Sequence, residues 1–245
     1  MRQFLLFQLY GPMASWGDVA VGEQRPTASH PSKSAILGLL AASKGIRRDE
    51  EALHREMADA YGFGVRVDAA GELLRDYHTA QVPPTKGKAH YFTRRDELRS
   101  SELNTILSSR DYRMDARYVV ALWVKDSVPP FSLEELCDGL KRPRFVPYLG
   151  RKACPLAVPM RPQLMEVASL KAAFDTVEFP DDGLLVQIPH DGSRSYYWEE
   201  LDGDSTGMVA SMVYPRRDQQ LSRSRWQFAE RNEFYFTESV KEEQG

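Results

Sequence analysis

Apolar residues run almost unbroken from Phe4 to Tyr10, interrupted by Gln8, and stop at Gly11-Pro12; this predicts a short buried strand followed by a loop from Gly11 to His30. From Pro31-Ser32-Lys33-Ser34 to Lys44, the positions of Ile36, Leu37, Leu39 and Leu40 leave little polar face, which predicts a buried helix with Ser32 as its N-cap and Gly45 as its stop. A second helix, from about Asp49 to Ala60, has a polar exterior and an acidic first turn. Strands are expected over Gly62 to Val67 and Tyr118 to Val124, and a further helix over Leu133 to Leu140. This order predicts an α+β sheet domain of ferredoxin-like type, with its helices on one face.

Between Leu74 and Val119 the pattern weakens, and from Gln81 to Arg99 no apolar period survives. An insertion of that length in a compact domain reads as a functional arm or a disordered segment. After Pro143 the chain becomes rich in proline and then shows short strand patterns near Leu184 to Ile188, Ser195 to Glu199, Met208 to Tyr214 and Glu233 to Thr237. These features divide the chain into a sheet domain, 1–143, and a smaller β-rich part, 144–240, with a frayed tail over Lys241 to Gly245.

Composition adds limits. Hydrophobic residues at 42% and charged residues at 27% are globular values. Cys137 and Cys154 cannot make a disulfide framework and lack the paired spacing of zinc sites, which suits a reducing cytoplasm. The first apolar run is too short for a signal-peptide core or a membrane span. No metal site or cofactor is expected: there is no Walker loop, no G-x-G-x-x-G fingerprint, and no fixed ligand spacing among the acids of Glu166 to Asp204.

The net charge of −3 argues against a nucleic-acid partner until it is resolved along the chain. Lys141 to Arg161 holds six cations and no acid, Arg75 to Arg117 nine cations against six acids, and Arg216 to Arg231 five against two. Glu166 to Asp204 reverses this, with ten acids and two cations. Tyr, Phe or Trp lies near each basic segment, the mixture that grips single-stranded nucleic acid, because cations neutralise phosphates and flat rings accept unstacked bases. The junction at Lys33 and Ser34 is a separate candidate for an anion at a helix N-terminus.

Three stretches together resemble the CasD family, the fifth-family CRISPR-associated proteins of type I-E Cascade. They are Gly11-Pro12-Met13-Ala14-Ser15-Trp16-Gly17, then Arg25-Pro26-Thr27 leading into Pro31-Ser32-Lys33-Ser34 and Leu37-Gly38-Leu39-Leu40, and Pro147-Tyr148-Leu149-Gly150-Arg151-Lys152-Ala153-Cys154-Pro155. Leu74 to Thr79 and Ala121-Leu122-Trp123 fit in order and spacing. The resemblance implies an RNA-recognition-like N-terminal domain with an inserted thumb, here about Tyr77 to Tyr112, and a β-rich C-terminal part. It implies a non-catalytic subunit that clamps the 5′ handle of CRISPR RNA. The subunit would contact the backbone and large subunits of Cascade, and the whole assembly would hold target DNA. The handle contacts it implies are Trp16 in the first loop, Arg25, Lys33, Ser34, Tyr77, His78, Arg110, Tyr112, Tyr148, Gly150, Arg151 and Lys152. The alternative is a metal-free endoribonuclease acting on precursor RNA, for which His78 with Tyr77, or His90 with Lys86 and Lys88, supply the residue types.

Overall fold

The computed structural model describes residues 1–18, 20–84, 90–125, 128–180, 192–201 and 205–239. β1 (Arg2–Tyr10) lies inside a seven-stranded sheet with β4 (Tyr61–Ala69), β7 (Arg117–Val124), β8 (Gln163–Val167), β9 (Ser193–Trp198), β10 (Met212–Ser222) and β11 (Gln227–Ser239), in the order β10-β11-β9-β4-β7-β1-β8. Every neighbouring pair in it is antiparallel. A smaller sheet is built on β6 (Asn104–Met114), flanked by β2 (Met13–Ala14), β3 (Gln24–Arg25) and the long strand β5 (Glu72–Val82). The strand pattern near Leu184 to Ile188, the cations Lys86 and Lys88, and the tail from Lys241 lie outside the described residues.

Side chains alternate across a strand, so β1 feeds two cores. Leu5, Phe7 and Leu9 pack beneath α1 (Lys33–Lys44), α2 (Glu51–Ala60) and α4 (Leu133–Lys141), while Phe4 and Leu6 join Val119, Ala121 and Trp123 on the other face. A short helix, α5 (Leu170–Thr176), covers that second face with Leu170, Ala173 and Phe174. Helices therefore occupy both faces, which corrects the one-face expectation and explains why β1 and β7 carry apolar side chains on both of theirs. The buried Arg66 fixes this arrangement. It pairs with Asp68 at 2.6 and 3.0 Å and donates to the Phe174 carbonyl. The residues after Pro143, expected as a separate β-rich half, supply β8 to β11 to the same sheet as β1.

Helix starts follow local chemistry. Ser132 and Glu135 form a reciprocal capping box at α4, and Ser32 Oγ accepts from the Ala35 N–H at α1. The α1 N-terminus also takes a carboxylate from 185 residues away: the Lys33 N–H donates to Asp218 Oδ2 at 2.8 Å. Around it lies a buried charge network. Lys33 Nζ donates to both oxygens of Glu199 at 3.1 and 2.9 Å, and Arg231 bridges Asp218 and Glu233. Arg216 also reaches Glu233, at 2.9 Å, and His30 Nε2 lies 2.9 Å from the same carboxylate with its ring stacked on Tyr197.

The projecting arm that the sequence left without a period is the β5–β6 hairpin, with a short exposed helix, α3 (Arg94–Glu97), near its far end. Most of β5 is exposed, so neither face of that strand needed an apolar alternation. Its base begins at Glu72 and closes at Met114, somewhat wider than the expected limits at Tyr77 and Tyr112.

Two expectations follow from this packing. A Cβ on Gly62 would overlap the indole of Trp123, its partner across the β4–β7 pair. Gly62→Ala is expected to lower stability by about 1–3 kcal/mol, read as a lower urea midpoint with an unchanged m-value; a midpoint equal to the wild type would show that the indole has room to move. The second concerns pH. Burial pushes the His30 imidazole down to about 4, and the adjacent Arg216 and Arg231 act in the same direction against the Glu233 hydrogen bond. Burial alone would raise the Glu233 carboxyl, but its bond to His30 and the two guanidiniums hold it below the usual range. Between about pH 4 and 6.5 the unfolded chain binds a proton at His30 that the folded chain does not. Stability is therefore expected to fall as pH drops through that window, with Glu233 adding a loss of the same sign below about 4.5. Urea midpoints measured across pH should show the slope, and His30→Gln should flatten its upper part.

Candidate nucleic-acid interface

The two loops singled out in the sequence meet at the base of the hairpin. Met13 and Ala14 pair with Met114 and Arg113, which fastens the Gly11 to Gly17 loop to β6. Ser15 then donates its N–H to the Leu149 carbonyl and its Oγ to the Asp111 carbonyl, both at 3.0 Å. The 148–155 turn closes on itself through Leu149 N–H to Cys154 O at 2.7 Å and Cys154 N–H to Arg151 O at 2.9 Å. Gly150 has φ +83°, and a Cβ there would overlap the Ser15 carbonyl oxygen, so position 150 needs glycine for both its conformation and the close approach.

Arg151 ties the third element in. One guanidinium nitrogen donates to the Arg25 carbonyl at 2.9 Å and the other to the Asp111 carbonyl at 3.3 Å, and the guanidinium lies 4.8 Å from the Tyr112 ring centroid. β3 runs parallel to β6 with Arg25 beside Arg110. Arg25, Arg110, Tyr112, Gly150, Arg151 and Lys152 thus share one patch with the first loop. Arg75 braces β6 from the other face of the hairpin, donating to both oxygens of Asp111 at 2.8 and 3.0 Å. The Arg75 hydrogen bonds hold the Asp111 carboxyl below its usual range, and Arg151 and Arg113 add to the field.

The expected contacts separate into exposed groups and buried supports. Arg25, Gly150, Lys152, Tyr77 and His78 are exposed, while Ser34, Arg110, Tyr148 and Arg151 are half-buried. Trp16 is 5% exposed and meets Tyr118 edge-on at 5.4 Å, so it wedges the loop into the core and offers no ring face to a base. Tyr112 is likewise buried, beneath Arg151. Lys33 is 1% exposed with its ammonium on Glu199, and the N-terminus of its helix is already occupied by Asp218. The expectation of a phosphate at Lys33 is corrected accordingly: the anion there belongs to the protein. Ser34 faces Ser32, with the two hydroxyl oxygens 3.1 Å apart.

On the hairpin, register decides which residues can act together. Asp76, His78, Arg110 and Tyr112 line one face, and Arg75, Tyr77, Ser109 and Asp111 the other. Tyr77 and His78 are neighbours in sequence on opposite faces, and His78 Nδ1 lies 2.7 Å from Asp76 Oδ2. Arg75 and Arg113 were not among the expected contacts. The signal that finds them is the two-residue period, visible once the arm is known to be a strand pair. Among the described residues no three His, Cys, Asp or Glu side chains come together as a metal site, and no helix is long and apolar enough to cross a membrane.

With this geometry in place, comparisons with known proteins converge. The sequence model of the family described as CRISPR-associated protein (Cas_Cas5) matches residues 4–233. The CRISPR system Cascade subunit CasD of Escherichia coli (strain K12) is 35% identical over 161 residues, spanning 65% of this chain and 70% of that protein. Among solved structures, a chain of a CRISPR RNA-guided surveillance complex has a TM-score of 0.65 at 24% identity, over 97% of this chain and 90% of its own, which is a likeness of fold. A structure described as a Cas protein has a TM-score of 0.56 at 26% identity, over 98% of this chain and 96% of its own. The chain belongs to the Cas5 family of CRISPR-associated proteins.

Proposed function

We propose that this chain is the CasD-type subunit of a Cascade surveillance complex and that it clamps the 5′ handle of CRISPR RNA without cutting it. The observation that carries this reading is the convergence of the Gly11 to Gly17 loop, Arg25, β6 and the 148–152 turn at the hairpin base, where exposed cations border a fixed backbone. Arg25 and Lys152 take phosphates, Tyr77 and Tyr148 offer rings to bases, and Arg110 with His78 lines the adjoining hairpin face. Trp16, Tyr112, Gly150 and Arg151 act as positioning residues that hold the patch in shape. The strands β1, β4, β7 and β8, arranged β4-β7-β1-β8 with α1 and α2 between β1 and β4 and with α4 between β7 and β8, support a ferredoxin-like core for the clamp. The backbone and large subunits of Cascade are its protein partners, target DNA is held by the whole assembly, and the cytoplasm is its compartment.

The endoribonuclease alternative is less well supported. General acid and base must converge on one phosphate, yet Tyr77 and His78 point to opposite faces of the hairpin.

Copurification from a host carrying the companion genes tests the central reading: untagged Cascade subunits and a short RNA of uniform 5′ end should accompany the tagged chain. In that assembly, Lys152→Ala and Arg25→Ala should each reduce the salt slope of RNA binding by about 0.7, the contribution of one phosphate contact to a single strand. An unchanged slope would remove that residue from the contact set. Incubation of the purified chain with repeat-containing RNA should leave the RNA intact; site-specific cleavage abolished by His78→Ala would replace the clamp with the nuclease.

A further inference from the structure

The turn from Ser222 to Gln227, between β10 and β11, is held by backbone-directed bonds. Glu51 of α2 accepts from the N–H groups of Arg223 and Ser224 at 2.9 and 3.1 Å, and Ser222 Oγ accepts from Arg225 N–H at 3.2 Å. The nearby carboxylate is thus committed to the turn itself. Trp226 is fixed at φ +53°, a conformation non-glycine residues seldom adopt, and its side chain stands 54% exposed. Such a posture for a large apolar ring calls for a reason beyond folding.

Two guanidiniums flank that ring, Arg48 at 5.0 Å and Arg223 at 4.9 Å from its centroid. Arg223 lies over α1, its Nη2 3.2 Å from where a Cβ on Gly38 would stand. Its Nε is buried without a hydrogen-bond partner, and among the described residues neither Arg48 nor Arg223 has a carboxylate within ion-pair reach. Burial and the neighbouring Arg48 both disfavour the Arg223 charge. Two adjacent cations, one of them largely withdrawn from water, are electrostatically incomplete until an anion joins them.

The position of this cluster indicates which anion. Arg144 and Phe145 donate their N–H groups to the carbonyls of Ser43 and Ala42 on α1, so the chain leading into the 148–152 turn runs along the same helix. Ala42 lies one turn from Gly38, which places Arg223 beside that path. A strand lying on Tyr148 and Lys152 could continue directly onto the cluster. Guanidiniums beside an exposed ring suit phosphodiester and base together, whereas an acidic peptide would leave the indole without a matched surface.

We propose that Arg48, Arg223 and Trp226 form a second site for single-stranded nucleic acid, with phosphate on the two guanidiniums and a base against the exposed indole. Its continuity with the 148–152 turn rests on the handle-clamp reading above.

The test titrates the purified full-length chain at low salt with two labelled RNAs, an oligouridylate and a handle-bearing oligonucleotide, and repeats the titrations at rising NaCl. Arg48→Gln and Arg223→Gln should each reduce the salt slope by about 0.7. Trp226→Ala should weaken binding several-fold with the slope retained. Indole emission should be quenched on RNA addition, and that quenching should disappear in Trp226→Phe. Arg48 is exposed, so its variant tests the site even if Arg223→Gln unsettles α1. Wild-type affinity, slope and quenching in all these variants, alongside a loss in Lys152→Ala, would overturn the second site and leave the clamp standing. No binding of either RNA by the wild type would overturn the second site, while the clamp stands or falls on the assembly. Binding of polyglutamate that is abolished by Arg48→Gln, with RNA binding unaffected, would overturn it in favour of an acidic polypeptide.

Discussion

The start of α1 is the constraint on which the remaining architecture depends. Lys33 at its start is buried, and Asp218 brings a carboxylate from β10 to accept its N–H. That carboxylate is itself held by Arg231, which also grips Glu233, which in turn meets Arg216 and lies beside His30. A ring of buried charges therefore fastens the last hairpin of the chain to its first helix. Removing one member leaves the others desolvated and unpaired, a loss of about 3–5 kcal/mol for a buried pair. An apolar replacement of the whole network could be equally stable, so the contribution of the charges is best understood as register: they fix where β10 and β11 lie against α1.

That fastening reaches the hairpin base by a second rigid contact. β1 leads directly into the Gly11 to Gly17 loop, and Gly150 approaches the Ser15 carbonyl too closely for any side chain. Arg151 then closes the gap to Arg25 and Asp111. The exposed cations thus project from a surface whose backbone is fixed on three sides. Preorganisation of this kind limits the ordering cost when a flexible strand binds. It also explains why glycine at 150 and arginine at 151 belong together: one permits the approach and the other bonds two carbonyls at once, a geometry a lysine ammonium does not reproduce.

How much of this was legible in the sequence differed by element. β1, α1, α2, β4, β7 and α4 could be read because each buries a face, and burial writes a period into the residues. The β5–β6 hairpin was found as an arm but not as a strand pair, since β5 buries neither face and Arg, Asp, Tyr and His fill it without alternation of polarity. β8 and α5 were missed because five and seven residues are too short for a period to declare itself among prolines. At the site, the loops that meet were legible as motifs, but burial was not. Trp16 has the composition of a stacking residue and the position of a core wedge. Lys33 has the composition of a phosphate ligand, and only the fold reveals Glu199 and Asp218 beside it.

The same distinction changes what segmental charge means. Of the five cations from Arg216 to Arg231, two are held inside by Asp218 and Glu233, and the acid-rich stretch supplies Glu199 to Lys33 and Lys125. Opposed segments of sequence can therefore be opposed partners within the fold, and a basic run by itself does not indicate a polyanion. What does indicate one is the cation left exposed after the internal pairs are subtracted. Such residues on this chain include Arg25 and Lys152 at the hairpin base and Arg48 flanking Trp226. Arg55, Arg142, Arg144, Arg217 and Arg225 are exposed as well, so exposure narrows the choice and a neighbouring ring completes it, as the Trp226 indole does for Arg48, because a single strand presents phosphates and bases together.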